Sequence, residues 1–126
     1  MIYGIGVDLV RVDRIGAVIG RYQERFLERI FTRREIDHCR DRAWAVSGFA
    51  LRFAAKEAFS KALGVGLRLG GIRWREVEVV NDALGKPQLS LSGRAARLCR
   101  EAGIQNLHLT LTDEDNHAIA VVILEK

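Results

Sequence analysis

Proline occurs once in the 126 residues, at Pro87, and cysteine twice, at Cys39 and Cys99. A single proline excludes a proline-rich linker, and no low-complexity tract or repeat divides the chain, so one domain over residues 1–126 is expected. The cysteines form no C-x-x-C pair, which leaves zinc binding and dithiol redox chemistry without support. Both sit in helical-looking sequence and read as free thiols packed like small hydrophobes. Aromatic residues are scarce, with two Trp, two Tyr and five Phe. The core must therefore rest on Ile, Leu, Val and Ala. No apolar run approaches the ~18 residues that a membrane span needs. The opening Met1-Ile2-Tyr3-Gly4-Ile5-Gly6-Val7-Asp8 has no basic n-region and meets an acid early, unlike a secretion signal. A cytoplasmic protein with no membrane partner is expected.

What the chain does have is basic charge, net +4 with a pI near 9.5. That asks for an acidic partner: nucleic acid, an acidic protein or a phosphate-rich small molecule. Glu24, Glu28 and Glu35 interleave the arginines and no aromatic platform is evident, which argues against a nucleic-acid-binding module. Gly4-Ile5-Gly6 and Gly64-Val65-Gly66 do not continue into G-x-G-x-x-G or G-x-x-x-x-G-K-[ST], which argues against a nucleotide switch.

Ile2–Val7 is short, apolar and bounded by polar residues, as a strand is. From Arg11 to Ile30, Val12, Ile15, Val18, Ile19, Tyr22, Phe26 and Ile30 recur at helical spacing, with Gly16 and Gly20 as points of weakness. Thr32 with Glu35 predicts a capping box for a short helix through about Arg40. Ala45–Leu63 is the strongest helix, stopped by Gly64. A Gly64–Gly71 loop, strands over Glu76–Val80 and Gln88–Leu91 around an Asn81–Pro87 turn, and a helix capped by Ser92 through about Ala102 follow. Leu107–Thr112 and His117–Leu124 read as a hairpin around Asp113–Asn116. Helices and strands mix without βαβ alternation. The expected class is α+β, a small, largely antiparallel sheet packed on a long central helix and shorter helices.

Two acids draw the chemistry. Strand alternation puts Gly4, Gly6 and Asp8 on one face, and bare glycine backbone lets another element or a ligand come close. A bland alternative has Asp8 ending the strand and capping the next helix. Val46, Phe49, Ala50, Phe53 and Ser60 mark an inner stripe of the long helix, and Glu57 falls on it. A carboxylate there needs a partner, because burying it unpaired costs several kcal/mol. Lys61, four residues on, could supply a local ion pair. A metal is the sharper alternative: Mg²⁺ takes one or two carboxylates and fills its shell with water and phosphate oxygens, and Lys61 would then face phosphate. Arg14, Arg21 and Arg25 are spaced by seven and four, so on a continuous helix they point within about 40° of one another. They form a basic stripe.

Gly4-Ile5-Gly6-Val7-Asp8-Leu9 with Arg14-Ile15 resembles the opening of the holo-acyl-carrier-protein synthases. Arg52-Phe53-Ala54-Ala55-Lys56-Glu57-Ala58-Phe59-Ser60-Lys61-Ala62-Leu63-Gly64 resembles their second signature. Gly85-Lys86-Pro87, His108–Thr112 and Ala118-Ile119-Ala120 match in order and spacing, so the resemblance covers almost the whole chain. The family consists of phosphopantetheinyl transferases. The resemblance implies their fold and the transfer of 4′-phosphopantetheine from coenzyme A to a serine of an apo acyl carrier protein, for fatty acid synthesis. Carrier domains of polyketide or peptide synthases are the alternative acceptors. It implies Mg²⁺ held by Asp8 and Glu57, phosphate contact by Lys61, and a coenzyme site bordered by Gly64, Lys86 and Pro87. Glu57 would take the serine proton, directly or through a bound water. It also implies a homotrimer, with Arg52 reaching the neighbour's coenzyme phosphates, and docking of an acidic carrier protein on Arg14, Arg21 and Arg25. One position departs. The family usually has a histidine where this chain has Asp113, and an ionised acid cannot donate to a phosphate. His117 reads as an exposed hairpin residue, so no catalytic histidine is assigned.

Overall fold

The computed structural model describes residues 1–126. Its first strand, β1 (Ile2–Arg11), runs past Val7, because Asp8 through Arg11 pair with the last strand, β5 (His117–Glu125). Asp8 therefore lies inside a strand opposite Ala120 and caps no helix. The other neighbour of β5 is β4 (Asn106–Glu114), giving an antiparallel sheet of order β1-β5-β4. β4 and β5 are longer than expected, and Asp113 and Glu114 belong to the strand. The turn between them is Asp115-Asn116, with Asp115 at φ 54°. A second antiparallel pair, β2 (Val77–Asn81) and β3 (Pro87–Leu91), stands apart from that sheet.

One face of the three-stranded sheet lies on the long helix, α4 (Ala45–Leu63), whose limits match the sequence reading. Gly64 ends it in the left-handed conformation at φ 84°. The glycines of β1 make the approach possible. A Cβ at Gly4 would stand 1.9 Å from the Ala62 carbonyl oxygen, and one at Gly6 would stand 1.9 Å from that of Ala58. The element that the bare strand admits is this helix. Gly6→Ala is expected to lower the melting temperature by roughly 10 °C, since overpacking that must move backbone costs ~1–3 kcal/mol. Differential scanning calorimetry checks this; an unchanged melting temperature would mean strand and helix part freely.

The helix is not striped as expected. Val46 is exposed, while residues all round α4 are buried, among them Arg52, Lys56 and Ser60. It is a central rod with two cores. Its C-terminal half packs Ala58, Phe59 and Ala62 against β2, β5 and α5 (Gly93–Glu101). Its N-terminal half packs Phe49 and Ala50 against α1 (Val12–Tyr22), α2 (Glu24–Ile30) and α3 (Arg33–Cys39). Both cysteines are buried free thiols.

The helix expected to continue from Arg11 to Ile30 breaks at Gln23 (φ 50°, ψ −127°), not at Gly16 or Gly20. The break turns Leu27 and Ile30 inward to join Ile15 in the same core. Gly16 instead serves packing, as a Cβ there would stand 3.2 Å from the Val46 side chain. Thr32 and Glu35 form the expected capping box at α3. Ser92 occupies the N-cap of α5 but its side chain makes no capping bond; the Ala95 N–H donates to Glu76 Oε1 at 3.2 Å.

Candidate active site

The β1–α4 contact sets the site. Asp8 follows Gly6 on the helix-facing side of β1, and Glu57 precedes Ala58, the residue Gly6 touches. Both carboxylates line one open cleft of about 300 Å³, together with Arg14, Val18, Phe26 and Phe53. Lys61 Nζ donates to Asp8 Oδ1 at 3.1 Å and to the Val7 carbonyl at 3.0 Å. Its ion pair is thus with the strand acid, not with Glu57 one turn earlier.

The electrostatics are those of an under-neutralised pair of acids. Burial raises the Asp8 carboxyl above its ordinary value, against the pull of Lys61. Burial raises Glu57 too, and the negative charge of Asp8 raises it further. Nearby acids that each resist ionisation favour an added cation. No group of three His, Cys, Asp or Glu side chains converges anywhere in the chain. Two carboxylates and no third ligand are the donor set of an Mg²⁺ site completed by water and substrate phosphate. The residues present therefore fit the ion.

The other expected site residues lie elsewhere. Arg52 is buried; its Nη1 donates to the Gly48 carbonyl at 3.2 Å and its Nη2 to Asn81 Oδ1 at 3.0 Å. Its Nε has no partner. Arg52, Asn81, Pro87 and Asp113 line a second cleft toward the other end of α4. The acid that departs from the family pattern thus faces the same space as this arginine. Lys86 and Pro87 line a third groove, with His108 of β4. Gly64 stands at the α4 terminus, three residues past Lys61. Arg14 borders the Asp8–Glu57 cleft, but the break at Gln23 puts Arg25 on a different helix from Arg14 and Arg21. The continuous stripe becomes two short faces. Arg21 lies over the Tyr22 ring at 5.2 Å. Arg25 shares a groove with Tyr22, Phe26 and Arg29. His117 is exposed.

Sequence reasoning placed Lys56 in a signature but gave it no role; its side chain, like that of Glu35, has no exposed surface. Lys56 Nζ donates to Glu35 Oε1 at 2.9 Å, to the Val77 carbonyl at 2.5 Å and to the Trp74 carbonyl at 3.3 Å. Glu35 also accepts from the Thr32 and Val79 N–H groups, both at 2.9 Å. Burial lowers the Lys56 amine from its usual value while Glu35 holds it up. The Trp74 ring stacks on Phe53 at 5.0 Å, so this network stands behind the wall of the cleft. The only signal was a Lys directly before Glu57 in an Ala-rich helix; a capping glutamate does not announce its burial.

A family model, the 4′-phosphopantetheinyl transferase superfamily, matches residues 4–122. The holo-[acyl-carrier-protein] synthase of Geotalea daltonii is 48% identical over 126 residues, all of both chains. The crystal structure of the synthase from Neisseria meningitidis superposes with a TM-score of 0.90 at 39% identity, covering 100% of each chain. That of the Helicobacter pylori synthase in complex with coenzyme A gives 0.84 at 32% identity, covering 96% of this chain and 99% of the other. Fold, cleft and relatives together define a transferase. The chain belongs to the 4′-phosphopantetheinyl transferase superfamily, as its Asp8 and Lys56-Glu57 motifs foretold.

Proposed function

We propose that the chain transfers 4′-phosphopantetheine from coenzyme A to a serine of an apo acyl carrier protein, releasing adenosine 3′,5′-bisphosphate. The observation that carries this reading is the convergence of Asp8 and Glu57 at one cleft, with Lys61 paired to Asp8, in a chain that matches holo-[acyl-carrier-protein] synthases over its full length. The serine Oγ attacks the phosphorus that bears the pantetheine arm. The bond from that phosphorus to the bridging oxygen breaks, and the bisphosphate leaves with the electron pair. Glu57 takes the serine proton, directly or through a bound water. Lys61, anchored on the β1 edge and half-exposed, turns its charge to the pyrophosphate. Asp8 and Glu57 would hold Mg²⁺, which when bound would offset charge on the pyrophosphate. Positioning and charge neutralisation supply most of the rate in such transfers.

A homotrimer is part of this reading. The sheet face away from α4 presents Ile5, Val7 and Leu9 at 61%, 54% and 60% exposure. Ile123, Val121 and Ile119 lie beside them in register. A contiguous apolar face of this kind marks an interaction surface. Arg52 lies outside the Asp8–Glu57 cleft of its own chain, which suits a role toward a neighbour's coenzyme, with Gly64, Lys86 and Pro87 bordering the coenzyme site. Arg14, Arg21 and Arg25 receive the acidic carrier protein. Two reduced, buried thiols suit the cytoplasm.

Intact-mass spectrometry of an apo acyl carrier protein incubated with the chain, coenzyme A and Mg²⁺ tests the reading. The expected result is a gain of one phosphopantetheine arm, abolished by EDTA and restored by excess Mg²⁺. A folded sample that leaves the carrier unmodified overturns the acceptor, and full transfer in EDTA overturns the metal.

A further inference from the structure

We infer that the arginine groove between α2 and the Trp74–Glu76 turn is a second contact surface for the acidic acceptor protein, extending the docking face past α1. The inference rests on the reading that the acceptor is an acidic carrier protein. Arg29, Arg68, Arg73 and Arg75 line one open groove of about 450 Å³, with Glu28 as the only acid among its lining residues. All four arginines are exposed. None forms an ion pair, whereas Arg33, Arg34 and Arg40 are each matched to an acid, Asp37, Glu78 and Glu24. Four unmatched arginines therefore meet in one groove.

That place is continuous with the cleft. Val18 and Phe26 line both the Asp8–Glu57 cleft and the next groove along. Arg29 lines that next groove and the arginine groove. A protein that presents its serine at Glu57 and rests on α1 meets Arg29 and then Arg73 and Arg75. The two latter arginines flank Trp74, whose carbonyl accepts from buried Lys56 and whose ring stacks on Phe53. Their positions are thus fixed relative to Glu57. Arginine forks suit carboxylates in pairs. The charges are spread around an open groove with no buried donor aimed into it, which suits an acidic protein surface rather than a single phosphate.

The test compares wild type, R73E/R75E and R14E by steady-state kinetics on apo carrier protein, at low and at physiological salt. R73E/R75E is expected to raise the KM for the carrier roughly tenfold at low salt and to flatten its salt dependence. The KM for coenzyme A and kcat at saturating carrier stay within about twofold of wild type, as expected when rim charges act mainly on association. R73Q/R75Q, which removes charge without reversing it, gives a smaller change in the same direction and covers a folding failure of the double reversal. An unchanged carrier KM in R73E/R75E beside a raised one in R14E overturns the extension and leaves the α1 docking face standing. Unchanged values in both overturn the acidic-acceptor reading as well. A rise confined to the KM for coenzyme A reassigns the groove to the coenzyme phosphates and overturns the inference.

Discussion

Glu57→Gln lowers turnover by roughly 10²–10⁴-fold at saturating carrier and coenzyme, the range general-base removal produces, while raising the melting temperature of the metal-free protein. The two effects share one cause. Glu57 sits beside Asp8 in a half-buried cleft, and both burial and that neighbouring charge raise its carboxyl in the folded state. A carboxyl raised on folding holds its proton to higher pH than in the unfolded chain. Ionised Glu57 therefore counts against the fold. The cost is absent below the ordinary glutamate value of 4.5, grows as pH rises through the folded value, and is complete above it. The amide removes it. Thermal melts in EDTA should show the variant more stable than wild type at pH 8, with the gap closing near pH 4. Added Mg²⁺ should stabilise wild type more than the variant. Near-normal turnover sinks the catalytic assignment, and a variant less stable than wild type at pH 8 sinks the electrostatic one.

The second large effect falls on the fold. Lys56→Met is expected to cost about 3–5 kcal/mol, the range for breaking one side of a buried ion pair. Glu35 would keep its two backbone donors, from Thr32 and Val79, and lose its only cation. The Trp74 and Val77 carbonyls would lose their shared donor. The double variant E35Q/K56M should lose less than the sum of the two single losses, because the amide leaves no buried charge unpaired. Urea unfolding of the four proteins checks this. Strictly additive losses would mean the two side chains are not energetically coupled. Activity should fall with stability in K56M, since Trp74 supports Phe53 on the cleft wall.

The legible parts of this molecule were written locally. Ala45–Leu63 with Gly64 announced α4 through composition and a left-handed stop, and Thr32 with Glu35 announced α3 through its capping box. Asp8 was legible because two glycines marked its strand face, and Glu57 because a carboxylate in an apolar helix must find a partner. Less legible were features decided by contacts distant in sequence. The end of β1 was missed because β5, over a hundred residues away, extends its pairing to Arg11. The break at Gln23 was missed because glycine is the usual suspect, whereas the bend serves the burial of Leu27 and Ile30. The same break sets Arg25 on a different helix from Arg14 and Arg21, so the expected continuous stripe becomes two faces.

By itself the sequence determined the α+β class, the helix that carries Glu57 and the family, because capping, periodicity and short motifs are properties of neighbouring residues. Only the tertiary structure decided that Lys61 pairs with Asp8 and that Lys56 is buried against Glu35. It alone also set Arg52 in a different cleft from Glu57 and brought Arg29, Arg68, Arg73 and Arg75 to one groove beside Trp74. Those outcomes depend on how closely β1 can lie on α4 and on which carboxylate a buried amine meets. Both are settled when the chain packs, since the partners stand 21 residues apart for Lys56 and Glu35 and 53 apart for Lys61 and Asp8.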